Sequence, residues 1–343
     1  MSLYPLLFKP RFVEKMWGGR KLETVLGKTL PSDKPIGESW ELYDCPPGVV
    51  EGSPQWVSSV VANGPLAGRS LHALVTEHRQ DLLGSVPTAG AGQFPILIKF
   101  LDAREDLSVQ VHPDEKYAAE HPEAHLKSEA WYVLQHDPDA RLLKGLVSGS
   151  DKSRFTSAVT DGTVEDHIQA IKVKPGDCHY LPSGTVHALG AGILVAEVQT
   201  PSDTTFRVHD FNRVDPSTGK LRKLHVEEAL ACIDFSGSPE PAQTRSHVAG
   251  PHSTVSRLVT CPYFVMEKVR FSEGVQQAVP YNQPVVWIML EGSAQLTAGG
   301  YPEPTIIKNG DTVLLPASMK NPMLKTLSDC VWLEVTFPVH ANP

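Results

Sequence analysis

The chain has 343 residues, 20% of them charged, and a formal net charge of -8. That length allows about two domains with proper cores. The acidic balance argues against a general nucleic-acid binder, and no apolar run is long enough to predict a membrane-spanning helix.

From the start of the chain, Met1 to Pro10 lacks a basic segment followed by a sustained apolar core, so no secretory signal is expected. The stretch Ser70 to Leu83 carries apolar residues at helical spacing. Leu107-Ser-Val-Gln-Val-His-Pro113 alternates like a strand. Leu107, Val109 and Val111 should share one face, and Ser108, Gln110 and His112 the other. Asp114 to His121 follows Pro113, a residue suited to a first helical turn. Short apolar or alternating segments recur at 94–100, 130–134, 193–199 and 285–290, between frequent Pro and Gly. This pattern predicts a mainly β protein, and Val226 to Ile233 predicts one more short helix. The five cysteines are scattered without a C-x-x-C pair, which fits a reducing cytoplasm better than a disulfide framework.

The chain also echoes itself. Gly176 to His187 aligns without gaps with Gly310 to Asn321, and Glu129 to Leu134 resembles Val285 to Leu290. We expect two barrels of similar construction, residues 1–240 and 241–343, with a junction in the Ser236 to Gly250 region. In the second copy Asn321 replaces His187 and Val285 replaces Glu129. The second barrel should therefore lack metal ligands.

Gln110, His112, Glu129 and His187 offer two nitrogens and two oxygens, a set suited to zinc or another first-row divalent ion. A lone histidine is more often a surface or satisfied core residue. Here, however, two of the four share one strand face. Lys127 and Glu129 alternate about Ser128, so both should point the same way. Lysines facing a barrel interior need an anion or a carboxylate to pair with. Lys99 taken alone reads more easily as a solvated strand end. Glu197 to Arg213 is unusually rich in ionisable residues, and its arginines could simply pair with Asp203 and Asp210.

The run Gly176-x5-Pro182-x-Gly184-x2-His187 resembles the second motif of the cupin superfamily, which implies jelly-roll barrels. Taken with Met16-Trp-Gly-Gly19, Gly37-Glu-Ser-Trp-Glu41, Leu107 to Pro113, Lys127-Ser-Glu-Ala-Trp131 and Asp203-Thr-Thr-Phe-Arg207, the chain resembles type I mannose-6-phosphate isomerases of the short bacterial form. That resemblance implies one zinc ion per chain, held by Gln110, His112, Glu129 and His187. It implies an active-site arginine at Arg207, substrate contacts at Lys99, Ser108 and Lys127, with the two lysines helped by Ser108 expected to attract and orient the phosphate, and a pocket carboxylate at Glu197. The implied reaction interconverts mannose 6-phosphate and fructose 6-phosphate through an enediol, without a redox cofactor. Glu197, Asp203 and Lys127 remain open as the general base. The alternatives are an iron-dependent cupin dioxygenase and a non-catalytic sugar-binding cupin. The expected partner is a small phosphosugar, with no nucleic acid or membrane, and the chain is expected to be a monomer.

Overall fold

A computed structural model describes residues 3–31, 33–50, 52–215, 218–237, 243 and 246–338. Strands dominate, and every strand pairing among the described residues is antiparallel. This matches the mainly β expectation.

Two sheets make up most of the N-terminal half. A six-stranded sheet orders Cys178–Leu181, Glu129–His136, Ile193–Gln199, Leu97–Ala103, Arg11–Gly19 and Ile36–Leu42. A five-stranded sheet orders Ile168–Lys172, Arg141–Leu146, His187–Ala188, Val109–Val111 and Phe206–His209. One apolar core takes residues from both sheets, including Leu101, Trp131, Leu142 and Val195. Burial of this apolar surface is the main force holding the sheets together. On the five-stranded sheet, Val109 and Val111 pack with Phe155 and Ala229, from the helices Lys152–Asp161 and Val226–Cys232.

The C-terminal half repeats the plan with a seven-stranded and a four-stranded sheet. Its core also draws on both sheets, through Val269, Trp287, Leu296 and Leu324. Leu6–Leu7, from the chain's N-terminus, pairs with Thr312–Leu315 at the edge of the seven-stranded sheet. The expected boundary at 240/241 lies outside the described residues.

The internal echo is visible in the register. Leu181 pairs with Glu129, and Leu315 with Val285. Val133 donates its N–H to the Asp177 carbonyl, and Met289 donates to that of Asp311. Gly176 and Gly310 occupy matching turns at φ 92° and 83°, where a side chain would be strained.

Local readings needed adjustment. The 70–83 segment is two helices, Leu71–Glu77 and Arg79–Leu83, because His78 leaves helical geometry at φ -128°, ψ 30°. The helix after Pro113 spans Glu115–Glu120, with Asp114 as its N-cap accepting from Tyr117 N–H at 2.7 Å. Pro113 therefore lies outside the helix, and the Asp114 cap supplies about 1 kcal/mol there. The helix Lys152–Asp161 was not anticipated. The strand around Gln110 covers only Val109–Val111, and Leu107 packs with the Trp131 core instead of joining Val109 and Val111.

Candidate metal centre and pocket

Two cross-strand rows build the site. In the five-stranded sheet His187 pairs with Gln110, and Gln110 pairs with Arg207. In the six-stranded sheet Trp40, Lys99, Glu197 and Trp131 stand in successive register, with Glu129 beside Gln199. Motifs far apart in the chain thus become neighbours, because antiparallel pairing brings side chains on one face within about 4.5–5.5 Å.

His112, Glu129 and His187 are buried, and their ligand atoms lie within 4.8 Å of one another. His112 Nδ1 is placed to donate to the Thr204 carbonyl at 2.9 Å, and His187 Nδ1 to that of Thr185 at 2.8 Å. Those bonds fix each ring with Nε2 as its lone-pair atom. The two Nε2 atoms then face Glu129, at 3.4 Å from Oε2 and 3.2 Å from Oε1. His112 Nε2 and both Glu129 oxygens are buried without a hydrogen-bond partner among the described residues. Lone pairs aimed at a carboxylate repel unless a cation lies between them, so the donor set fits a divalent ion. Gln110 adds an amide 3.4 Å from His187 Nε2, and rotating that amide exchanges its nitrogen for its oxygen.

The electrostatics agree. Burial, and then Lys127, push the His112 pKa down to about 3, so the ring is neutral and free to coordinate. Burial opposes ionisation of Glu129, but the Lys127 charge pulls its carboxyl well below the usual range. Lys127 Nζ lies 3.1 Å from Glu129 Oε2. Glu197 behaves oppositely. Burial first, and then the Glu129 charge, raise it to about 7. Trp131 Nε1 donates to Glu197 Oε1 at 2.9 Å and fixes its orientation.

Ser108, Gln110, Lys99, Lys127, Glu197, Asp203 and Arg207 all line one pocket next to this cluster. All ten residues singled out from the sequence therefore converge. Lys99 is not a solvated strand end. It is 2% exposed and surrounded by Asp203 at 3.3 Å, Glu38 at 3.6 Å and Glu197 at 4.0 Å. Burial disfavours its charge, but Glu38, Asp203 and Glu197 outweigh that and raise its pKa.

Sequence reasoning missed Lys15, Glu38 and Arg222, which line the same pocket. Glu38 pairs with Lys15 at 3.0 Å and accepts from Trp40 Nε1 at 2.6 Å. Alternation in Gly37-Glu-Ser-Trp-Glu41 already places Glu38 and Trp40 on one face. The glycines nearby serve close packing, since a Cβ on Gly37 would come within 2.6 Å of the Trp17 ring. Nothing local flagged Arg222.

A family model for the catalytic domain of type I phosphomannose isomerase matches residues 6–143. The mannose-6-phosphate isomerase ManA of Bacillus subtilis (strain 168) is 36% identical over 333 residues, covering 96% of this chain and 99% of its own. The crystal structure of the mannose 6-phosphate isomerase from Bacillus subtilis superposes with a TM-score of 0.85 at 32% identity, covering 98% of this chain and all of that one. A zinc-bound mannose 6-phosphate isomerase shares the fold at a TM-score of 0.70 and 16% identity, covering 98% of this chain and 100% of its own.

Proposed function

The chain belongs to the type I mannose-6-phosphate isomerase family, and from that premise we propose that Gln110, His112, Glu129 and His187 hold one zinc ion beside a catalytic pocket. The reaction is the aldose–ketose interconversion of mannose 6-phosphate and fructose 6-phosphate. The observation that carries the zinc reading is the pair of imidazole nitrogens turned onto the two oxygens of one buried carboxylate. When bound, zinc would stabilise negative charge developing on the substrate's oxygens.

The chain's own groups do the rest. Isomerisation moves one proton between C1 and C2 of the open-chain sugar. Glu197 is the base we favour, because a carboxyl with a pKa near 7 can both accept and return a proton at neutral pH. Trp131 fixes its angle. Asp203 and Lys127 are lower-ranked candidates, since each is held closer to its counter-charge, Asp203 at 3.3 Å from Lys99 and Lys127 at 3.1 Å from Glu129, than Glu197 is to Lys99 at 4.0 Å. Arg207, in register with Gln110, stabilises the enediol oxygens with a fixed positive charge. Lys99, Ser108 and Lys127 contact the substrate from the pocket wall.

We also assign one cupin-type barrel to each sheet pair, residues 1–240 catalytic and 241–343 without metal ligands, in a monomer. Five free cysteines, four of them buried, fit a cytoplasmic setting. None of the helices among the described residues is long and apolar enough to cross a membrane.

The test is a coupled assay. Purified protein should convert mannose 6-phosphate to fructose 6-phosphate, lose activity on chelation and recover it with added zinc. Activity that survives complete removal of metal would sink the zinc assignment.

A further inference from the structure

The C-terminal sheets frame a cavity of their own, about 150 Å³ in volume. Its wall holds Glu267, Phe271, Tyr281, Trp287, Trp332 and Glu334, together with aliphatic side chains. Strand register assembles it. Trp287 stands opposite Glu334, and Glu334 opposite Glu267. Alternation along each strand puts Trp332 on the same face as Glu334, and Phe271 on the same face as Glu267. Trp332 stacks on Phe271 with ring centroids 5.2 Å apart, and its centroid lies 4.8 Å from that of Trp287.

Glu334 is 4% exposed, and the donors that hold it are neutral. The Tyr281 hydroxyl donates to Oε1, and Trp332 Nε1 donates to Oε2 at 3.4 Å. No lysine or arginine lines the cavity among its described residues. Glu267 has a counter-charge, since Arg257 lies 3.1 Å from it, whereas Glu334 feels a like charge from Glu267. A buried carboxylate held only by neutral donors is costlier than one beside a cation. The N-terminal sheets show the missing part. There Glu197, at the place of Glu334, has the Lys99 ammonium 4.0 Å away, and that ammonium sits 4.3 Å from the centre of the Trp40 ring. The C-terminal sheets keep the carboxylate and the rings without the ammonium.

We propose that this cavity is a second binding site, for a small methylated ammonium ion such as the head group of choline, with Glu334 as counter-charge and the aromatic rings as walls. The chemistry selects that class. Both Glu334 oxygens already accept a hydrogen bond, so the carboxylate offers charge more than open acceptor positions. A metal ion would find no cluster of ligands here among the described residues. A methylated ammonium needs no donor or acceptor partner of its own, and aromatic faces attract it. The volume is about five times the roughly 30 Å³ that a water molecule occupies in the liquid, which suits a compact organic cation. None of the six named residues lines the catalytic pocket, so the site stands apart from the isomerase reading.

The experiment titrates choline into the zinc-loaded full chain, followed by calorimetry and tryptophan fluorescence. Its uncharged isostere, in which carbon replaces the nitrogen, is titrated alongside. Choline should bind saturably and change the fluorescence, and the isostere should bind at least about tenfold more weakly. Glu334→Gln should weaken choline binding about tenfold, because it keeps the shape of the side chain and removes its charge. Tyr281→Leu, which removes one ring, should also weaken it and remains informative if the glutamine variant folds poorly. Saturating mannose 6-phosphate should leave choline binding unchanged. No saturable binding to wild type would overturn the proposal. Equal affinity for the isostere would overturn it too, since the cavity would then be merely apolar. Displacement of choline by mannose 6-phosphate would place the cation in the catalytic pocket and sink the assignment, as would undiminished binding in a folded Glu334→Gln protein.

Discussion

In the N-terminal sheets Lys99, Glu197 and Trp131 stand side by side across three strands. In the C-terminal sheets Glu267, Glu334 and Trp287 stand in the same cross-strand order. The carboxylate and the indole persist, while the lysine becomes a glutamate. Two more changes accompany it. Val285 occupies the place of Glu129, and Asn321, aligned with His187, lies exposed with φ 45°. The C-terminal row borders a small cavity holding Glu267, Glu334 and four aromatic rings, with no cation among the described residues of its wall. Burial, and next a hydrogen-bond donor at Tyr281 pulling the other way, leave the Glu334 pKa raised. Such a wall gives a phosphate nothing to pair with, and no metal-ligand cluster lies there among the described residues. One frame thus carries two contents, and the chemistry follows the side chains rather than the fold.

The largest test of this contrast is Glu129→Gln. It should lower zinc affinity at least about 100-fold and remove nearly all turnover, as read by metal analysis and the coupled assay. Wild type should bind one zinc per chain. Two ions per chain would break the comparison, since the C-terminal sheets would then hold a site that Val285 and Asn321 should have abolished.

Next comes Glu197→Gln, expected to lower kcat by about 10²–10⁴-fold. Glu197 has a pKa near 7, so its basic form grows as pH rises through that value. Wild-type kcat should therefore climb with pH across this range, and the variant's residual activity should lose that limb. A limb that survives would move the base to another group.

The smallest effect on activity belongs to the counterpart in the other sheets. Glu334→Gln should leave kcat within about twofold, while denaturant unfolding shows a loss of about 1–3 kcal/mol from disturbed bonds to Tyr281 and Trp332. A large fall in kcat would show that the two cavities are coupled.

Much of the metal centre was legible because it follows from local rules. Strand alternation alone put Gln110 beside His112, and the glycine-proline turn placed His187 at the start of a strand. Repetition of the 176–187 pattern at 310–321 announced two related sheet systems, and the missing histidine and glutamate distinguished them. The helix Lys152–Asp161 escaped notice because only Phe155 and Ala158 of its residues are fully buried, too few to mark an apolar stripe.

What tertiary structure alone decided is which distant groups meet. Register placed Arg207 across from Gln110 and Glu197 across from Lys99, pairings between segments about 100 residues apart. It also set which cations were neutralised, since Glu38 reaches Lys99 and Lys15 from another strand and Arg222 arrives from a separate hairpin. Periodicity along a strand reports the neighbours of one residue in its own chain segment. Charge balance in a buried pocket depends on every strand that closes around it, and so becomes defined only when the sheets have paired.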